Sequence, residues 1–130
     1  MIELDEISQY SLDTDETELL FGTIQNRDIL RQALPELKKA DPDHKKIGHL
    51  LSAHHTILRD VLGVSTRKIE MMLDAAMNAG ALGGKINGSG GGGCMFAYAP
   101  NEPEKVAEAV KKVCGNTQII HSDTGTKILI

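Results

Sequence analysis

The chain has 130 residues, enough for one domain with a core of its own and too few for two of ordinary size. It is 41% hydrophobic and 25% charged, with two Phe, two Tyr and no Trp, so the core must be aliphatic and base-stacking platforms for single-stranded nucleic acid are scarce. A net charge of −4 leaves no basic field for DNA, RNA or an anionic membrane surface.

Residues 1–18 form an acidic, weakly patterned segment, and IELDEIS alternates apolar and polar residues as an edge strand would. SLDTDETE then offers helix N-caps and acidic first-turn residues, which suit the positive end of a helix dipole. A first helix is expected over about 16–34, interrupted at Pro35. A second helix starts with Asp41 as cap and Pro42 in the first turn. Ile47, Leu50, Leu51, His54, Leu58 and Val61 share its apolar face, which makes His54 a core histidine, and Gly63 ends it.

Ser65 is read as the cap of a third helix, with Ile69, Met72, Leu73 and Ala76 as its stripe and Gly80 as its end. Met71, Met72 and Met77 read as core filling. CMFAYAP follows as a strand, starting at Cys94 as a small buried hydrophobe. Asn101, with Glu104 as capping-box partner, opens a fourth helix that buries Val106, Ala107, Val110 and Val113 and ends at Gly115. QIIHS, a DTG turn and TKILI read as a closing hairpin. This order predicts an α+β fold with an antiparallel sheet covered by helices.

Cys94 and Cys114 form no CxxC pair, which favours two thiols in a reducing compartment over a disulfide framework or a zinc site. No apolar run approaches the ~20 residues of a membrane span. The acidic start MIELDEISQY lacks the regions of a signal peptide, so a cytoplasmic location is expected. His49 and His54 diverge by about 140° around a helix, and His54 and His55 diverge likewise, so no metal site is expected.

The segment GGKINGSGGGGC, residues 83–94, holds seven glycines. Gly88, Gly90 and Gly93 satisfy GxGxxG, but the dinucleotide fingerprint needs a helix after the loop, and here a strand follows. No Gly-Lys-Ser/Thr follows either, which removes the P-loop. What survives is a loop whose backbone N–H groups can point into one concavity, a nest for anionic oxygens. A plain tight turn remains the alternative on composition alone.

The run from Lys85 through Asn87, Gly88, Ser89 and Gly90–Gly93 to Cys94 resembles the third signature motif of the GHMP kinases. That family includes galactokinase, homoserine, mevalonate and phosphomevalonate kinases. Upstream, His55, Leu58-Arg59-Asp60 and Val64-Ser65 are similar to the galactokinase segment before this motif, in register with it. The resemblance covers roughly residues 20–130, placing the domain at 19–130 after the acidic segment 1–18. It implies the ferredoxin-like C-terminal lobe, with added helices, of a galactokinase-like sugar kinase.

The family's other lobe carries the ATP loop, the proposed catalytic base and most sugar contacts. No counterpart of these is found in this sequence, and Asp13, Asp15 and Asp28 read as helix-start or helix-face residues. The resemblance therefore implies no catalytic residue in this chain, no activity alone, and a missing N-terminal lobe as partner. ATP, Mg²⁺, the sugar and the nucleotide would belong to the complete enzyme, which phosphorylates an anomeric hydroxyl. Asn87, Gly88, Ser89, Gly90, Gly91, Gly92 and Gly93 would line the phosphate cleft, with Lys85, His55 and Arg59 at its border. The same glycine run resembles heptose kinases, leaving the sugar open. A stand-alone ferredoxin-like module that binds a small ligand or regulates a partner is the reading from another class.

Overall fold

The computed structural model describes residues 1–122 and 125. Four helices and one hairpin follow in the order α1 (Thr14–Leu37), α2 (His44–Asp60), α3 (Arg67–Asn78), β1 (Gly83–Asn87), β2 (Cys94–Tyr98) and α4 (Pro103–Cys114). The class is α+β, as expected, with two strands in the sheet among the described residues.

The N-terminal segment is a 3-10 helix, Leu4–Gln9, and not the expected edge strand. An alternating pattern makes a strand only where a ladder can form, and here local bonds win. The Glu3 N–H donates to Glu6 Oε2 at 2.9 Å. Arg27 of α1 clamps the Ile2 carbonyl and the Glu3 carboxylate, both at 2.6 Å, and Ile7 is buried beneath.

Helix α1 opens on a capping box. Asp13 accepts from the Glu16 N–H at 2.8 Å, and Glu16 accepts from the Asp13 N–H at 3.1 Å. It runs through Pro35 into its last turn, where only two further residues remain helical. The corner to α2 is fixed by Glu36, which is 2% exposed. Its carboxylate accepts from the Asp43 N–H at 2.9 Å and pairs with Lys39 at 2.9 Å and Lys46 at 3.2 Å. Those bonds make Asp43, rather than Asp41, the cap of α2, where it accepts from the Lys46 N–H. The Asp43 N–H and the two lysines hold the Glu36 carboxyl at about 2, against 4.5 for an ordinary glutamate.

Helix α2 packs along the outer edge of β1. The two touch backbone to backbone, because a Cβ on Gly48 would lie 2.2 Å from the Leu82 carbonyl oxygen and one on Gly83 would lie 1.8 Å from the Gly48 oxygen. The face turned inward is Ile47, Gly48, Leu50, His55 and Ile57. Thus His55, not His54, is the core histidine. His54 is half-buried, and desolvation lowers its pKa.

Helix α3 buries the expected Ile69, Met72, Leu73 and Ala76. Its cap is Thr66, accepting from Ile69 at 3.3 Å, while Ser65 bonds elsewhere. Of the three methionines only Met72 fills the core, and Met71 and Met77 lie half exposed. The hairpin pairs Lys85 with Phe96 and Asn87 with Cys94. Ile86, Met95 and Ala97 face α3 and α4, completing a core with Val106 and Val110.

Helix α4 is capped at Glu102 with Pro103 in its first turn, so the expected Asn101–Glu104 box does not form. It ends at Gly115, φ 78°, as expected. Residues 118–122 make no ladder among the described residues, and Ile119 and Ile120 are exposed. The strand expected at 126–130 lies outside the described residues.

Two outcomes are expected. Gly48→Ala should cost about 1–3 kcal/mol, since neither backbone can retreat, and Gly22→Ala should cost less, since its closest contact is a Val61 methyl. Urea unfolding of both variants measures the difference. Because the Glu36 pKa is depressed in the folded state, its stabilisation is complete above pH 4.5 and disappears as pH falls from 4.5 through about 2. Glu36→Gln should lower stability at neutral pH and flatten that acid limb in a pH series of thermal melts.

Candidate functional site

The hairpin tip, residues 88–93, is built for open backbone. Gly88, Gly90, Gly91, Gly92 and Gly93 all have positive φ, from 72° to 125°, and no other residue type in the described chain does. A Cβ on Gly88, Gly91, Gly92 or Gly93 would meet nothing within 4 Å. The bend is therefore not packed inward. Its floor is the connection between α2 and α3. The Gly91 N–H donates to the Val64 carbonyl at 2.7 Å, and a Cβ on Gly90 would lie 2.6 Å from Val64 Cβ. Among the described residues, the amides of Gly88, Ser89, Gly90, Gly92 and Gly93 donate to no protein acceptor. Asn87 and Ser89 are exposed beside them. The tip thus offers several donors that meet no protein acceptor among the described residues, with open space at most of its Cβ directions.

The remaining sequence-selected residues lie apart from the tip. Lys85 sits on the sheet face away from α3, its ammonium 2.7 Å from the Ile86 carbonyl oxygen and 5.6 Å from the Phe96 ring centre. It is half-buried, and desolvation lowers its pKa. Cys94 opens β2 but is exposed, because it and its register partner Asn87 form the last pair before the solvent-facing tip.

His55 is 5% exposed and Arg59 is exposed; both line a cleft of about 140 Å³ between α2 and α3, to which the glycine tip does not contribute. His55 Nδ1 accepts from the Ile86 N–H at 3.4 Å, so its Nε2 carries the proton and donates to Glu70 at 2.8 Å. Arg59 forks onto Asp60 at 2.7 and 3.0 Å and reaches Glu70 at 3.4 Å. The Arg59 fork lowers the Asp60 pKa.

Glu70 is the residue that sequence reasoning missed. It accepts from Ser65, His55 and Arg59. Burial pushes its carboxyl up, and the Ser65 and His55 donors more than offset this, so it titrates below the ordinary glutamate range. Its only signal in the sequence is an acid in the first turn of α3, which a helix dipole explains equally well.

A family model described as GHMP kinases C terminal matches residues 30–116, two thirds of the chain. The chain belongs to this GHMP kinase C-terminal family. The mevalonate kinase of Pyrococcus abyssi is 45% identical over 86 residues, 65% of this chain and 25% of that protein. The galactokinase of Mycobacterium bovis is 35% identical over 74 residues, 56% of this chain and 20% of that protein. Lactococcus lactis galactokinase, solved with galactose, superposes with a TM-score of 0.70 at 21% identity, over 89% of this chain and 32% of that one. L. major mevalonate kinase, solved with R-mevalonate, gives 0.60 at 24% identity over 88% and 35%. The chain thus spans about a quarter of the length of the mevalonate kinase it matches.

Within the GHMP kinase frame, the expected glycine motif is the hairpin tip. The expected tilt toward galactokinase is narrower than the comparisons support, because the Pyrococcus mevalonate kinase shares more identity over a longer span. Substitutions at the tip separate conformation from packing. Gly91→Ala should cost about 1–2 kcal/mol for its left-handed backbone alone. Gly90→Ala should cost a further 1–3 kcal/mol or so, because its Cβ meets Val64. Equal losses in urea unfolding would contradict the contact with Val64.

Proposed function

We propose that this chain is the C-terminal lobe of an ATP-dependent kinase for a small hydroxyl-bearing metabolite. Its hairpin tip, Asn87 to Gly93, forms one wall of the phosphate cleft. The observation that carries this reading is the open tip itself, with five amides that meet no protein acceptor among the described residues, in a GHMP kinase domain. Such donors are fixed before reaction, so they stabilise charge developing on phosphoryl oxygens with little reorganisation, at about 3 kcal/mol for one well-aimed donor. ATP supplies the transferable phosphoryl group. This chain's contribution is to bind and orient the phosphates with backbone donors and to leave room for their close approach.

Among the described residues no three His, Cys, Asp or Glu side chains gather to hold a metal. Magnesium would enter with the nucleotide and offset the charge of its phosphates. The ATP loop and general base would lie on an N-terminal lobe, consistent with relatives about four times the length of the matched region. Leu30, Leu34 and Leu37 of α1 project half-exposed or more at helical spacing, which suits a surface finished by further protein. We favour mevalonate as acceptor, from the 45% identity to the Pyrococcus enzyme. A sugar acceptor is the second reading, favoured by the 35% identity to galactokinase.

Titration of the ¹⁵N-labelled chain with Mg-ADP tests the cleft. Shifts are expected at the Gly88–Gly93 amides, with weak affinity while the other lobe is absent. Shifts confined to other residues would sink the phosphate reading. Tight, saturable binding by this chain alone would instead favour an independent ligand-binding module.

A further inference from the structure

Both roots of the glycine tip lead back to one carboxylate. On the floor side, Gly91 hangs from the Val64 carbonyl, and that carbonyl belongs to the peptide bond with Ser65. The Ser65 hydroxyl donates to Glu70 Oε1. On the strand side, Asn87 follows Ile86, whose N–H is held by His55 Nδ1, and His55 Nε2 donates to the same Glu70 oxygen. The remaining oxygen, Oε2, faces Arg59. Val64 is fixed on its other flank by its N–H bond to the Leu58 carbonyl at 3.0 Å.

We infer that Glu70, acting through Ser65 and His55, is a positioning residue that sets the direction of the Val64 carbonyl and the exit of β1, and so preorganises the glycine tip. Glycine backbone has no side chains to restrict it, so order at residues 88–93 must be imposed from outside the loop. The Val64–Gly91 hydrogen bond is the one bond from the tip to the rest of the described protein outside its own strands. A carboxylate taking bonds from Ser65 and His55 at once fixes both supports relative to each other, which separate contacts would not do. Charge assistance makes those bonds stronger than neutral ones. None of the three side chains reaches the open side of the tip, so their effect on a bound phosphate is indirect.

The inference rests on the phosphate reading for its purpose, and its test needs no phosphate. Solvent exchange of the Gly91 amide is compared with that of Val110, a core residue of α4, by NMR of the full chain. Ser65→Ala is expected to accelerate Gly91 relative to Val110 by roughly 3- to 10-fold, the equilibrium factor of one hydrogen bond. Ser65→Thr, which keeps the hydroxyl, should retain the slow rate. Glu70→Gln should accelerate Gly91 similarly, and adding Ser65→Ala to it should have little further effect. If Gly91 and Val110 accelerate together, or Gly91 does not respond, the network is merely structural and the inference is overturned. Should Glu70→Gln fail to fold, the Ser65→Ala and Ser65→Thr pair decides alone. Loosening of Gly91 with no Mg-ADP response in the unmutated chain would retain the positioning network and discard the phosphate reading.

Discussion

The contact between Gly48 of α2 and Gly83 of β1 governs what the rest of this domain can do. An edge strand carries unpaired N–H and C=O groups, and burying it without partners is costly. Here a helix is laid against that edge so closely that neither residue has room for a Cβ. Only at that distance does a histidine two turns further along α2 reach the Ile86 N–H and satisfy it. The same approach brings the end of α2, and hence Val64, beneath the hairpin tip. Two small residues in the core therefore determine where a solvent-facing loop stands.

The tip is expensive to order. Each glycine loses more backbone freedom than alanine would, about 0.5–1 kcal/mol in a regular element. Five positions with positive φ leave little choice, because side chains at all five would be strained together. The domain meets this cost with a firm base and not with contacts inside the loop. The Cβ directions at Gly88, Gly91, Gly92 and Gly93 are empty. What stabilises the tip is the short ladder behind it and the Val64 bond beneath it. A loop arranged in this way keeps its donors available, whereas a loop ordered by its own hydrogen bonds would consume them.

Much of this was legible in the sequence, because helical periodicity and glycine punctuation are local signals. Ile69, Met72, Leu73 and Ala76 fall at the spacing of one helical stripe and are buried as one. The differences arise where a tertiary partner competes with a local one. Asp41 and Pro42 have the better local start signal, yet Glu36 captures the Asp43 N–H and moves the cap. Ser65 looks like a cap, but Glu70 draws its hydroxyl away and Thr66 takes over. His54 and His55 differ by one step around the helix, and only the close approach at Gly48 decides which faces the strand. The glycine tip was visible as composition. Its support was not, since Ser65, Glu70, His55 and Ile86 are joined by topology alone.

On the proposed reading, phosphate binding and acceptor choice have different physical bases. A phosphate recognised by main-chain donors needs glycine, and the donors are the same whatever molecule receives the phosphoryl group. On the proposed reading that demand accounts for the dense glycine stretch, while the family is shown by similarity over residues 30–116. Discriminating one acceptor from another needs side chains that bond or exclude its particular groups. The tip has almost none, with Asn87 and Ser89 its only polar side chains. On the proposed reading, acceptor choice belongs chiefly to surfaces outside these residues, and identities of 45% to a mevalonate kinase and 35% to a galactokinase within one domain are what a shared phosphate wall should produce.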